Sequence, residues 1–370
     1  MQTAAFTYES GRWSAPFPPL DSEDSMVLVF GGVGYQDAPT PLGELTRAYP
    51  RAKIAGCSSA GEIHGSRVSD DTLSVVVVRF ERTRVRLADT KLGGDSTDAG
   101  AAIARQLAAP DLRAVLVFSD GLAVNGTALL RGIHSVVGRD VVVTGGLAGD
   151  GTRFQRTWVL HGGGPIGGHV VAVGLYGDSV GVSHGSRGGW DVFGPERIVT
   201  RASENVLYEL DGEPALALYK QYLGDRAAGL PSTALLFPLA LRTTAGVVVR
   251  TILGVDEATQ SMTFAGDVPK DSVVQLMRAN FDRLIDGATD AGRDAIAPHS
   301  PSVALAVSCV GRRIVLGERT EEEVEGAFES VPAGDVLVGF YSYGEISPLA
   351  VGECGVLHNQ TMTLTRLWET

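Results

Sequence analysis

One pattern recurs towards both ends of this chain: an apolar run, a short loop of small or hydroxyl-bearing residues, and then Gly-Glu-Ile. It occurs at Ile54-Ala55-Gly56-Cys57-Ser58-Ser59-Ala60-Gly61-Glu62-Ile63 and again at Val336-Leu337-Val338-Gly339-Phe340-Tyr341-Ser342-Tyr343-Gly344-Glu345-Ile346. Short apolar runs are typical of buried strands, and small side chains let backbone N–H groups approach a ligand or a neighbouring loop. The repetition therefore predicts two related strand-end loops.

A third stretch, Val141-Val142-Val143-Thr144-Gly145-Gly146-Leu147-Ala148-Gly149-Asp150-Gly151, also ends a strand-like run in glycines and one carboxylate. Glycine supplies 47 of the 370 residues, well above its usual share, and its non-periodic spread indicates many tight turns. Three strand ends of this kind indicate one site or two related sites. Chance similarity among short Gly-rich strings is the alternative.

The order of apolar runs and helical patterns favours an α/β fold. Strand-like and helix-like segments alternate over residues 26–150, which predicts a layer with some parallel pairing, whereas the following runs are separated by glycine turns and predict antiparallel strands. A helix that begins near residue 213 marks a boundary. We expect an irregular lead-in over residues 1–25 and two related α/β domains with mixed sheets, over 26–211 and 212–370.

Two local patterns make sharper predictions. The charged turn at 81–84 predicts that the apolar runs 73–80 and 85–87 pair with each other. Apolar residues that share one helical face predict a helix over 271–285.

Composition excludes several classes of function. The net charge of −12 disfavours nucleic acid and anionic membrane surfaces as partners. The longest apolar runs are too short to cross a bilayer, so no membrane insertion is expected. The three cysteines include no CxxC pair, and no signal peptide is visible, which together predict a reduced, cytoplasmic protein.

Catalytic motifs are incomplete. The string Gly56-Cys57-Ser58-Ser59-Ala60 approaches the GxSxG nucleophile elbow but has alanine in the last place and no convincing helix after it. A Cys57 thiolate assisted by His64 is the other catalytic interpretation. The GxGxxG match at 162–167 precedes a strand, so a hairpin turn is favoured over a dinucleotide site. A Cys- or Ser-dependent hydrolase is therefore the less favoured function.

Three carboxylates follow a strand and a glycine, namely Glu62, Asp150 and Glu345. Each could bind an ammonium group of a ligand, or accept N–H bonds within its own turn. Both roles stay open for Glu62 and Glu345, and the turn role is favoured for Asp150.

These strings together resemble the FIST family (F-box and intracellular signal transduction). The resemblance covers the chain from about residue 26, in family order, and its motifs are 56–63, 144–151, 308–312, 339–348 and 358–361. It implies an intracellular sensory module that binds a small ligand such as an amino acid. Since no kinase, cyclase or chemoreceptor segment accompanies the motifs, the output is expected from a separate partner protein.

Some stand-alone members of the family are haem proteins that respond to nitric oxide and regulate a partner histidine kinase. Haem is therefore a possible cofactor here, with His358 and His64 as the first candidates for its axial ligand. The motif positions also supply the candidate ligand-binding residues, with no catalytic or metal-binding residue among them: Cys57, Ser58, Ser59, Gly61, Glu62, Cys309, Tyr341, Tyr343, Glu345, His358 and Asn359.

Overall fold

The computed structural model describes residues 1–243 and 246–370, and the predicted α/β class with mixed sheets is confirmed. The strands are β1 (Gln2–Glu9), β2 (Arg12–Trp13), β3 (Ser25–Gly31), β4 (Lys53–Ser58), β5 (Glu62–His64), β6 (Arg67–Ser69), β7 (Leu73–Arg79), β8 (Arg84–Lys91), β9 (Leu112–Ser119), β10 (Val142–Leu147), β11 (Val159–His161), β12 (Gly164–Ile166), β13 (His169–Tyr176), β14 (Val180–Arg187), β15 (Asp191–Ser203), β16 (Val206–Leu210), β17 (Glu213–Pro214), β18 (Leu239–Thr243), β19 (Gly246–Arg250), β20 (Ile252–Asp256), β21 (Ser261–Phe264), β22 (Val273–Arg278), β23 (Ser302–Cys309), β24 (Val336–Ser342), β25 (Gly344–Pro348), β26 (Gly355–His358) and β27 (Met362–Glu369). The α-helices are α1 (Thr40–Ala48), α2 (Ser96–Leu107), α3 (Gly126–His134), α4 (Ala215–Leu223), α5 (Phe281–Asp294), α6 (Val310–Leu316) and α7 (Thr320–Phe328).

One four-stranded arrangement occurs three times in the described residues. Two parallel strands lie side by side, a third strand runs antiparallel to the first of them, and an outer strand flanks the third. The spatial orders are β4-β3-β7-β1, β10-β9-β13-β8 and β24-β23-β27-β14. One or two helices connect the parallel strands of each repeat: α1 in the first, α3 in the second, and α6 with α7 in the third.

Each repeat gives a β-hairpin to the sheet of another repeat. The hairpin β5–β6 of the first repeat pairs with β24 of the third, β25–β26 of the third pairs with β10 of the second, and β11–β12 of the second pairs with β4 of the first. The exchange is cyclic, so every repeat donates one hairpin and receives one. No sheet is therefore complete within its own repeat.

A β-rich insertion interrupts the third repeat between β14 and α5. It contributes β15 to β22, whose main path runs β19-β18-β22-β15-β16-β21-β20, with α4 packed on it. Its own buried cluster includes Leu207, Leu216, Leu241 and Phe264. The insertion thus forms a separate layer against the three-repeat body.

A glycine at one fixed position lets each parallel pair pack closely. Gly56, Gly145 and Gly339 lie opposite the preceding parallel strand in equivalent register. A Cβ added at any of them would overlap the carbonyl oxygen of the residue opposite. The three glycines of the sequence strings are therefore structural equivalents.

Three local predictions are wrong. The first strand, β1, lies within the supposed irregular lead-in of residues 1–25, because it pairs along the whole length of β7. With β1 and β3 on its two sides, β7 has no free edge for β8, which pairs with β13 instead. Residues 271–285 contain β22 followed by α5, and the change occurs at Asn280, whose side chain caps the helix.

We predict that Gly339→Ala lowers the free energy of unfolding by about 3 kcal/mol, because the added methyl group has no space beside the Ala306 carbonyl. The measurement is urea denaturation followed by circular dichroism. Gly254→Ala is the control, since a Cβ there meets no atom within 4 Å and the residue also lies in a strand. Equal stability of the two variants would contradict the packing argument.

Candidate functional site

The three strand-end loops meet in a ring of backbone hydrogen bonds. The Ala60 N–H donates to the Tyr341 carbonyl at 2.8 Å, the Tyr343 N–H to the Leu147 carbonyl at 3.1 Å, and the Gly149 N–H to the Ser58 carbonyl at 3.0 Å. Counted from the fixed glycine of each repeat, every donor is the fourth residue after it and every acceptor is the second. The loops predicted from the recurring pattern are thus brought together.

Glu62 and Glu345 hold equivalent places and make equivalent bonds. Glu62 accepts hydrogen bonds from the Ser59 hydroxyl at 2.5 Å and from the backbone and side chain of Thr72 at 2.8 and 3.0 Å. Glu345 accepts them from the Ser342 hydroxyl at 2.8 Å and from Thr361 at 3.2 and 3.0 Å. Both side chains are buried, and each joins the serine of its own loop to a threonine that directly precedes a later strand, β7 or β27. Their role is therefore structural, but it extends beyond the turn itself.

Burial raises the pKa of Glu62 to about 8, although its hydrogen bonds from Ser59 and Thr72 act in the opposite direction. Burial likewise raises the pKa of Glu345 to about 8. The two loops therefore favour protonated carboxyl groups, which are poor partners for an ammonium ion.

The second repeat uses a different carboxylate in the corresponding loop. Asp150 accepts N–H bonds from Phe154, Gln155 and Arg156 at 2.8 to 3.1 Å, and its side chain also accepts the Tyr343 hydroxyl. Burial acts to raise the pKa of Asp150, but these bonds outweigh it and hold the pKa below its ordinary value. Asp150 thereby fixes the loop that carries Phe154, whose ring stacks on Tyr343 with centroids 4.4 Å apart.

A cavity of about 330 Å³ lies where the second repeat, the third repeat and the insertion meet, and we call it the junction cavity. Three predicted residues line it: Cys309, Tyr343 and Asn359. Its lining residues are Gly121, Leu122, Val124, Asn125, Leu147, Phe154, Glu204, Asn205, Leu235, Thr251, Leu253, Phe264, Ala265, Gly266, Cys309, Val310, Gly311, Ile314, Tyr343 and Asn359.

The other predicted residues do not line this cavity. They are buried around the ring of loops, away from this cavity: Cys57, Ser58, Ser59, Gly61, Glu62, Tyr341, Glu345 and His358. Other parts of the wall of the junction cavity come from the insertion and from the loop of Phe154, and no sequence motif indicated them. The insertion residues carry no local motif, so the sequence offered no signal for them.

Polar groups are few in the junction cavity. The Thr251 hydroxyl is buried and has no hydrogen-bond partner among residues 1–243 and 246–370. The Asn359 amide donates to the His358 carbonyl at 2.9 Å, and its oxygen lies 3.5 Å from the Thr251 N–H. Burial raises the pKa of the Cys309 thiol, with the nearby Glu345 adding to the shift, so the thiol is protonated.

Haem does not fit these residues. Within the part of the chain that the structure describes, no histidine lines the junction cavity. His358 is buried elsewhere and its Nε2 donates to the Ser347 carbonyl at 2.9 Å, while His64 Nδ1 lies 3.1 Å from the Ser74 hydroxyl. Among the described residues of the wall, Cys309 is the one soft ligand, and it is held as a thiol rather than the thiolate that iron needs.

Comparison with family models gives two adjoining matches, the FIST N domain over residues 25–213 and the FIST C domain over residues 215–348. The chain belongs to the FIST family. FIST domains are sensory domains of signal transduction, and the sensory role predicted from the motifs is supported at that level. The ring of loops joins the two matched regions, because Ala60 and Gly149 lie in the first and Tyr343 lies in the second.

Among solved structures, this FIST protein is similar to a cyanuric acid hydrolase from A. caulinodans, with 10% identity and a TM-score of 0.37 over 93% of this chain and 89% of that one. This TM-score is too low to extend the hydrolase activity to the present chain. Comparison with curated proteins gave no significant match. Over residues 1–243 and 246–370, no helix has the length and apolar character needed to span a bilayer.

We predict that the buried carboxyls make stability depend on pH. Their folded pKa of about 8 exceeds the value of about 4.3 for an unfolded Glu, so the folded state binds these protons more tightly. Their contribution to the free energy of unfolding is full below about pH 4 and is lost as pH rises through about 8.

The free energy of unfolding, measured by urea denaturation, should therefore differ less between wild type and the double variant Glu62→Gln/Glu345→Gln at pH 8.5 than at pH 5. Glu325→Gln, at an exposed position of α7, is the control, and a difference independent of pH would contradict the burial effect.

We also predict the order in which iodoacetamide modifies the three cysteines. Cys354 is partly exposed, whereas Cys57 is fully buried and burial raises its pKa far above the ordinary value. Cys354 should react first and Cys57 last, as followed by peptide mass spectrometry in the native protein. Fastest modification of Cys57 would instead favour the thiol hydrolase.

Proposed function

We propose that this chain is a sensory module that binds a small amine-bearing, amino-acid-like metabolite in the junction cavity and signals through a separate partner protein. The observation that carries the proposal is the convergence of three family motifs on one cavity, through Cys309, Tyr343 and Asn359. The walls are mainly apolar, and a few polar groups project between them, as is usual for small-molecule sites.

The charge of the lining favours an amine. Glu204 is the one acidic residue that lines the junction cavity, and no Lys, Arg or His lines it within the described residues. Glu204 is exposed, so its carboxylate lies towards the opening, whereas Thr251 and Asn359 are buried. An apolar body can therefore lie inside, with a polar group near Thr251 and an ammonium group near Glu204.

The short helix α6 connects this cavity with the rest of the molecule. Val310, Gly311 and Ile314 line the cavity from one side of the helix. On the other sides, the buried Arg312 bonds to Glu323 at 2.5 Å, and Arg313 bonds to Asp70 at 2.7 Å. A ligand that displaces α6 would thus act on α7 and on the first repeat, which offers a route to a partner.

Haem-based sensing of nitric oxide, with a histidine kinase as partner, is the second candidate, and it rests on the family resemblance. The lining of the junction cavity does not favour it, because His64 and His358 both lie elsewhere. The class of the partner protein does not depend on which ligand binds. A histidine kinase is therefore also a candidate partner for the proposed amino-acid-binding module.

We predict that native mass spectrometry of freshly purified protein shows a bound small molecule, and that Ala265→Phe removes it by filling the cavity. The control is Val351→Phe, at a side chain that is 93% exposed and outside the cavity. Circular dichroism establishes that both variants are folded.

Two results would contradict the proposal. One is a bound molecule that persists in folded Ala265→Phe. The other is a wild-type protein that carries no ligand and shows no heat of binding when titrated with the common amino acids and their amines.

A further inference from the structure

A second cavity, of about 390 Å³, lies between α3, the insertion and the hairpin β25–β26. We call it the α3 cavity. Its walls are largely apolar, from Leu130, Leu241, Val248, Val356 and Leu357. Charged side chains reach it from the insertion and from α3: Arg131, Arg250 and Asp267. None of the predicted ligand-binding residues lines it.

Arg250 is the unusual member of this lining. Its side chain is only 6% exposed, and its guanidinium donates to the backbone carbonyls of Asp267 at 2.9 Å, Val249 at 3.2 Å and Leu357 at 3.1 Å. Within residues 1–243 and 246–370 its Nη2 donates no hydrogen bond and no carboxylate forms an ion pair with it. A buried charge normally has a charged partner, because desolvation is costly.

The neighbouring charges do not supply that partner. The Asp267 carboxylate is engaged by the Asn125 amide at 2.9 Å and by Arg131 at 3.2 Å. Burial lowers the pKa of Arg250 to about 10, and Asp267 offsets this only in part. His134 is also in the lining, and burial lowers its pKa while its Nε2 donates to the Gly355 carbonyl at 2.9 Å. At neutral pH the lining therefore carries two positive charges and one negative charge.

We propose that the α3 cavity is a second ligand site, which binds a small monocarboxylate with an apolar body through the guanidinium of Arg250. The carboxylate accepts from Nη2 and neutralises the unpaired charge, while the aliphatic or aromatic body packs against the leucines and valines. This site does not depend on the junction cavity having a ligand. The two cavities have no lining residue in common, although Gly266 of the first and Asp267 of the second are neighbours in the chain.

The net charge of the lining selects a monoanion over a phosphate. One negative charge brings the cavity to neutrality, whereas a phosphate dianion would leave an excess negative charge beside Asp267. The apolar walls also give a carboxylate with a hydrocarbon body a large area to bury, which inorganic phosphate lacks.

The test is calorimetric titration of the full chain with benzoate and hexanoate, compared with the uncharged benzamide and hexanamide. We expect each carboxylate to bind at least tenfold more tightly than its amide, and Arg250→Met to abolish this preference. Ala265→Phe, which fills the junction cavity, should leave it unchanged. Equal affinity for acid and amide, a preference that survives in Arg250→Met, or no saturable binding of any probe would overturn the proposal.

Two further variants keep the test decisive if Arg250→Met does not fold. Asp267→Asn removes the negative charge near Arg250, so it should tighten carboxylate binding at least threefold without changing amide binding. Cys354→Trp fills the cavity from its partly exposed side and should abolish binding of all four probes. Unchanged affinities in both variants would overturn the site, and displacement of benzoate by inorganic phosphate would overturn its selectivity for carboxylates.

Discussion

The ring of three backbone hydrogen bonds between the strand-end loops is the constraint on which this structure depends. Each loop donates once and accepts once, and all six groups belong to buried or nearly buried residues. Because an unpaired buried peptide group is costly, no loop can move without leaving groups of both neighbours unsatisfied. The fixed glycines, the hydroxyl groups of Ser59 and Ser342, and the two buried carboxyls all serve to hold the loops in this ring.

The ring also explains where space remains in the molecule. Around the centre, small side chains and satisfied carboxyls fill the interior, and Glu62 and Glu345 have no access to a ligand. The junction cavity and the α3 cavity lie instead where the β-rich insertion meets the three-repeat body, since two surfaces with separate cores need not match in shape. The ring is thus closely packed, and the two cavities with proposed ligands lie at the border with the insertion.

Part of this arrangement could be predicted from the sequence. Apolar runs that end in glycine gave the parallel strands, and the common Gly-Glu-Ile indicated that the loops of Glu62 and Glu345 are related. The hairpin exchange could not be predicted, because β5 finds its partner β24 more than 270 residues away and nothing local marks that pairing. For the same reason Arg250, at the end of β19, and Thr251, between β19 and β20, gave no sign of facing a cavity.

The cyclic exchange of hairpins has a consequence for synthesis of the chain on the ribosome. The first repeat emerges with its hairpin β5–β6 unpaired, because the acceptor strand β24 is made much later. Strand β14 is likewise unpaired until its partner β27 has been synthesised. Until those strands emerge, the nascent protein exposes open sheet edges, which are prone to wrong pairing with other chains. The hairpin exchange that stabilises the folded protein therefore makes wrong strand pairing most frequent during synthesis. A chaperone would have its largest effect at that stage.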